Sequence, residues 1–312
     1  MKKLLAALLI LATVFALASC GGNKPAEDSK PADTSSVPPV STDTAGTAEP
    51  ADTEFVNDGS YAIYDDNCVV RVTGTEYDAL WGLTVGLYCE NRTENSEIRV
   101  QVNKGSVNGV EVDTVFSCDV APGKNKTDSI SLTLPDEMSD VESYTDIELC
   151  FEVYDLSSAS SEPIAVTSFN VYPEGKENAE VFKREPQRKD IEVITPDEND
   201  LSVTIIGFGR DSLYECMVKL YIVNDTDRDL VFTADDVKLN GKPCDPMFAV
   251  TVRAHKSAFT TVGWLHSTLY DQRLTSVSTI AMTINASDVN DPENVLASGR
   301  TTVDAPDGLG AK

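Results

Sequence analysis

The folded part of this chain is written twice. Leu83 to Thr93 (LTVGLYCENRT) aligns with Cys216 to Thr226 (CMVKLYIVNDT). Val85, Leu87, Tyr88, Asn91 and Thr93 recur as Val218, Leu220, Tyr221, Asn224 and Thr226, each pair 133 residues apart. Upstream, Gly74 and Gly207 keep that offset. One deletion later, Asn108-Gly109 recurs as Asn240-Gly241, and Phe116, Val120 and Lys124 recur as Phe248, Val252 and Lys256, all 132 apart. The offset returns to 133 at Ile147 and Ile280 and at Asp155 and Asp288. Matches in this order, with one deletion, are the mark of a duplicated unit. Any fold assigned to one copy must therefore suit the other.

The periodicity within each copy is that of strands. Trp81, Leu83, Val85, Leu87 and Cys89 alternate with smaller or more polar residues, and Tyr214, Cys216, Val218, Leu220 and Ile222 repeat the row. A period of two over ten residues describes a half-buried strand. Phe116, Cys118 and Val120 form a second inward row and Ile147, Leu149, Phe151 and Val153 a third. Asn108-Gly109 and Asn240-Gly241 are hairpin turn signals. After residue 20 no stretch carries a helical period, and Asp136 to Ser143 offers at most one turn. About seven short strands in each ~115-residue copy predict an all-β chain of two antiparallel sandwiches. The expected domains are 57–173 and 190–304. A polar, charged hinge at 174–189 joins them and a frayed tail at 305–312 follows.

The chain begins with an export signal. Met1-Lys2-Lys3 is a basic start, Leu4 to Leu17 is apolar, and Leu17-Ala18-Ser19-Cys20 ends in small residues. The apolar run is short for a membrane span, which takes ~20 residues. A Cys directly after Leu-Ala-Ser resembles the bacterial lipobox. That resemblance implies cleavage of a signal peptide at 1–19, a diacylglyceryl thioether on Cys20, and an extracytoplasmic chain held to the membrane through that lipid. Two acyl chains give stable anchoring where one does not. From Gly21 to Glu54 there is no aromatic residue, Leu or Ile. Such a segment buries too little apolar surface to offset its ordering entropy, so 20–56 reads as a lipidated cysteine and a disordered stalk.

The repeats resemble the immunoglobulin-like domains of unknown function in Gram-positive surface lipoproteins. The shared marks are a strand ending in Leu-Tyr-x-x-Asn-x-Thr (Leu87 to Thr93), a Val-Asn-Gly or Leu-Asn-Gly turn (Val107 to Gly109) and a strand ending near Gly123-Lys124, with His255 standing in for the glycine of copy two. The resemblance implies two tandem immunoglobulin-like sandwiches and exposure outside the cytoplasm. It implies no activity and no cofactor, because fold analogy does not supply function.

Charge and chemistry narrow the classes. A formal net charge of −26 argues against nucleic acid and against docking on anionic headgroups. Beyond Cys20, the six cysteines (68, 89, 118, 150, 216, 244) never recur in both copies and mostly fall in inward rows. They read as buried thiols, with a Cys89–Cys118 bridge as the alternative. The two histidines, His255 and His266, accompany no nucleophile motif. Asp225, Asp227 and Asp229 are spaced like calcium-loop ligands but lack the glycine turn and the downstream glutamate. The Asn-x-Thr/Ser triplets at Asn91, Asn125, Asn224 and Asn285 match a glycan acceptor pattern that carries little weight in a bacterial lipoprotein.

These readings describe a non-enzymatic envelope protein that binds an unknown protein or envelope glycan, or serves as an adhesion element or spacer. The alternative is a carbohydrate-binding accessory to a transporter or wall enzyme. Tyr88 and Tyr221 point outward on the alternation and recur, which makes them the candidate contact residues. The anchor is testable: Cys20→Ala is expected to abolish labelling by a fatty-acid analogue and to leave the precursor uncleaved, and equal labelling of the variant would refute lipidation.

Overall fold

The computed structural model describes residues 59–78, 82–196 and 200–310. Cys20, the export signal, the whole of the stalk and Trp81 lie outside the described residues. Phe55–Lys312 forms one compact unit that contains both copies.

Copy one supplies β1 (Tyr61–Tyr64), β2 (Cys68–Asp78), β3 (Gly82–Asn91), β4 (Ile98–Val107), β5 (Val110–Thr114), β6 (Phe116–Val120), β7 (Asn125–Thr133), β8 (Ile147–Asp155) and β9 (Ala165–Val171). Copy two supplies β10 (Ile191–Ile194), β11 (Leu201–Gly209), β12 (Tyr214–Asn224), β13 (Leu230–Leu239), β14 (Lys242–Pro243), β15 (Ala249–Val252), β16 (Lys256–Leu265), β17 (Thr279–Asp288) and β18 (Asp291–Asp304). A six-residue helix α1 (His266–Asp271) stands where copy one has a single 3-10 turn at Asp136–Met138. The protein is all-β. Among the described residues no helix is long and apolar enough to cross a membrane.

The main pairings recur in each copy, with an added β5–β7 pairing that joins the two sheets of copy one. One antiparallel sheet runs β1-β2-β3-β7, matched by β10-β11-β12-β16. The other joins β9, β8 and β4, with β5 and β6 sharing the far edge of β4; its counterpart joins β18, β17 and β13, with β14 and β15 along β13. Each copy has its own core, drawn from the inward rows of both its sheets. Burial of each large side chain there contributes ~1.5–3 kcal/mol. In β3 the alternation is unbroken: Leu83, Val85, Leu87 and Cys89 are buried and the residues between them are half-exposed. Asn108-Gly109 and Asn240-Gly241 close two-residue hairpins with all four φ angles between 48° and 78°, the left-handed pair that a type I′ turn requires.

The recurring asparagines hold the loops. Asn91 is 1% exposed; its Nδ2 donates to the carbonyls of Ser96 and Val120, and its Oδ1 accepts from the Thr93 amide and hydroxyl. Asn224, fully buried, does the same with Arg228, Val252 and Thr226. Asn108 and Asn240 form a second matched pair, each tying its hairpin to the loop before the next long strand: Asn108 to Ser143, Thr145 and Asp146, and Asn240 to Ser276, Ser278 and Thr279.

The copies do not hang on a free hinge. The Ser257 amide donates to the Gly109 carbonyl (2.9 Å), and β16 touches β5 in a short parallel bridge. Arg253, 8% exposed, forks onto Glu111 with Nε–Oε1 at 2.8 Å and Nη2–Oε2 at 2.9 Å, and its Nη1 reaches Glu148. Lys256 Nζ closes on the other Glu148 oxygen at 2.6 Å. Burial disfavours the Arg253 charge, but the Glu111 carboxylate outweighs it and the guanidinium stays protonated. The segment expected as a hinge is exposed along most of its length yet works as a strap. The Phe182 amide donates to the Asn108 carbonyl, the Glu180 amide donates to Thr145 Oγ1, and Arg184 pairs bidentately with Asp190. The expected frayed tail is likewise docked over its described part: the Val277 amide donates to the Leu309 carbonyl (2.9 Å), and Leu309 is 6% exposed.

The six described cysteines are unbridged, and only Cys150 is not buried. Burial pushes the thiols of Cys68 and Cys216 up to about 12. The neighbouring Cys118 thiol, together with burial, holds the Cys89 thiol protonated.

Burial opposes ionisation of Glu148, but the Lys256 hydrogen bond and the Arg253 charge outweigh it and hold its carboxyl below the ordinary glutamate value. A depressed carboxylate stabilises the fold above its unfolded value and loses that contribution as pH falls through the folded one. Glu148→Gln is therefore expected to be less stable than the parent at neutral pH, with the gap closing as pH drops below 4.5. Urea denaturation at a series of pH values measures this, and a gap that stays constant would remove Glu148 from the junction.

Candidate functional site

The two outward tyrosines part company. Tyr88 stays half-buried on β3 and its hydroxyl donates to Glu90 Oε2 at 3.2 Å. Tyr221 is 9% exposed, with its ring centroid 4.7 Å from that of Phe259, which in turn meets Phe182 of the strap at 6.0 Å. The alternation of β12 does assign Tyr221 to the outer face of its sheet. That face is covered at the junction, so Tyr221 is a packing residue and offers no contact surface.

The calcium candidates are not gathered into a site. Asp229 Oδ1 accepts from the Ala254 amide, Asp227 faces His255 Nε2 at 2.9 Å, and Asp225 is exposed. Among the described residues no group of three or more His, Cys, Asp or Glu side chains is placed to hold a metal ion. His266 lies 3.5 Å from Glu215 and stacks on Tyr270, at the start of α1.

A groove of about 440 Å³ opens at the end of copy one where β2 leads toward β3. The last residues of β2 (Thr75, Glu76, Tyr77) form one wall. The loop before β8 (Glu142, Ser143, Tyr144) forms the other, and Pro173-Glu174, just past β9, closes an end. The size suits a small or extended ligand. Tyr77 and Tyr144 stack with ring centroids 6.2 Å apart and planes 23° apart, and Tyr77 is 65% exposed. Burial, then the neighbouring Tyr77, push the Tyr144 phenol up, so the ring stays neutral. Glu76, Glu142 and Glu174 are all exposed, and no ion pair among the described residues compensates them. No Lys or Arg lines the groove. The arrangement presents aromatic faces, hydroxyls and carboxylates, which is acceptor chemistry suited to holding a ligand.

In copy two the docked tail covers the matched surface. Its residues at the matched positions are Arg210, Thr275, Ser276 and Val277, for Tyr77, Glu142, Ser143 and Tyr144. The docked tail lies on them: Arg210 Nη1 donates to the Gly308 carbonyl, the Val277 amide to Leu309, and Gly310 rests against Thr275 and Ser276. A search for recurring residues passes over Tyr77 and Tyr144, because they differ between the copies. The usable signal was divergence: a tyrosine at each position in one copy and an arginine and a valine in the other.

No family model and no curated protein matches the chain. Among solved structures it is similar to red sea bream transglutaminase, with 13% identity over 76% of this chain and 31% of that one, at a TM-score of 0.22. It is also similar to the Amycolatopsis orientalis exo-chitosanase CsxA, with 12% identity over 74% and 26%, at a TM-score of 0.20. The chain thus spans about a third or less of the length of either enzyme. Likeness at these scores carries no argument about fold or activity.

The two tyrosine environments predict opposite responses. Tyr221→Ala is expected to lower the unfolding free energy by ~3 kcal/mol, as removal of a buried ring does. Tyr77→Ala is expected to cost less than ~1 kcal/mol, since its ring is mainly exposed. Urea midpoints at unchanged slope measure both, and equal losses would contradict the burial described.

Proposed function

We propose that this chain is a lipid-anchored, extracytoplasmic, non-catalytic binding protein of the cell envelope, with two tandem immunoglobulin-like sandwiches carried on a stalk. The export signal at 1–19, directly before Cys20, supports the location. The sandwich reading draws support from the repeated antiparallel pairing and from one core per copy between two sheets. The observation that carries the binding reading is the open groove of copy one, where two stacked tyrosines sit beside uncompensated carboxylates at the end of the molecule's first repeat.

A carbohydrate-binding accessory is the second reading, favoured by the exposed face of Tyr77, since aromatic faces suit the apolar faces of sugar rings. Both readings put recognition at the same place. The double variant Tyr77→Ala with Tyr144→Ala is expected to retain less than about a tenth of the envelope fragments held by the parent protein, with an unchanged circular dichroism spectrum. Equal retention would remove the groove as the binding site. Retention of nothing by the parent would leave a spacer.

A further inference from the structure

We infer that the copy-one groove takes a short, basic peptide segment of a protein partner. The inference rests on the binding reading above and names its ligand. Duplication provides the argument, because copy two displays its own occupant. There the matched surface holds Gly308-Leu309-Gly310, which turns through left-handed φ at both glycines and is fastened by the Val277 amide donating to the Leu309 carbonyl at 2.9 Å. Leu309 itself packs into the core of copy two beside Val277.

The corresponding amide in copy one is that of Tyr144. Among the described residues it has no hydrogen-bond partner. The loop around it is held as in copy two: Ser143 and Thr145 bond Asn108 just as Ser276 and Ser278 bond Asn240. The donor that fastens a peptide carbonyl in copy two is therefore presented in the same frame and left open in copy one. Capture of a peptide by backbone groups beside side-chain pockets is a recurring mode of recognition.

The side chains around that donor differ, and the difference is one of charge. Glu76 and Glu142 stand where copy two has Gly209 and Thr275. Copy two needs no charge there, since its occupant is the uncharged Gly-Leu-Gly. In copy one these two carboxylates, with Glu174, line an opening that has no cation of its own. Like charges gathered in a concave site attract the opposite charge. The exposed Tyr77 ring adds a face on which a Lys or Arg side chain can lie. The binding mode that follows is backbone capture at Tyr144, with basic side chains toward Glu76, Glu142 and the Tyr77 ring.

Fluorescence anisotropy with the purified full chain tests this. The probes are a labelled peptide of sequence Lys-Gly-Leu-Gly-Lys-Lys and its counterpart Glu-Gly-Leu-Gly-Glu-Glu. The basic peptide is expected to bind and the acidic one to bind at least tenfold more weakly. Glu76→Gln with Glu142→Gln is expected to weaken the basic peptide at least tenfold without moving the urea midpoint. Asp225→Asn with Asp227→Asn, two exposed carboxylates outside the groove, should leave it unchanged and so separates site binding from the attraction of a chain with net charge −26. The inference is overturned if both peptides bind alike, or if the two double variants lose affinity equally. If a glucosamine oligosaccharide binds in a Tyr77-dependent way and neither peptide does, the peptide inference fails while the binding reading stands. If neither the peptides nor the saccharide bind and the protein retains no envelope fragment, both fail.

Discussion

A carboxamide inside an apolar sheet must find partners for both of its ends, and this requirement organises each copy. An unsatisfied buried polar group costs ~1–3 kcal/mol, so a buried asparagine is tolerated only where the backbone comes to meet it. Asn91 and Asn224 occupy the last position of β3 and β12, and each draws the following turn and the end of β6 or β15 onto one side chain. Asn108 and Asn240 do the same for the hairpin and the loop that precedes β8 or β17. The most visible repeat in the chain is thus a set of loop clamps. It recurs because the same backbone problem recurs, and it says nothing about ligands.

The junction makes the two copies unequal. Arg253 brings its charge among Glu111 and Glu148 at a largely desolvated place, where a fork of paired hydrogen bonds is needed to offset burial. Lys256 takes up the remaining Glu148 oxygen, so the cluster is paired throughout. Phe182 of the strap, Phe259 of β16 and Tyr221 of β12 fill the apolar side of the same contact. Once one outer face is covered in this way, a residue and its counterpart 133 positions away no longer share an environment, as Tyr88 and Tyr221 illustrate.

The ends of the repeats differ for a related reason. After β9 the chain must travel on to the second copy, so Pro173-Glu174 passes the groove and leaves it open. After β18 the chain turns back instead, and Leu309 covers the matched surface. The same scaffold position is filled in one copy and open in the other, and the side chains around it have diverged accordingly.

The sequence by itself determined the strand content, the duplication, the two Asn-Gly hairpins and most of the core. These depend on local rules: a period of two, a left-handed turn pair, and apolar residues in rows such as Ile147, Leu149, Phe151 and Val153. Only the tertiary structure decided that 174–189 is a strap, that Tyr221 is buried, that residues 305–310 are docked, and that Tyr77 meets Tyr144 across 67 residues of chain. Periodicity records which side of a sheet a residue faces. Whether something else then covers that side depends on how two folded units meet. That meeting is set by Arg253, Glu111 and Glu148, charged residues widely separated in the chain, whose pairing no local pattern encodes.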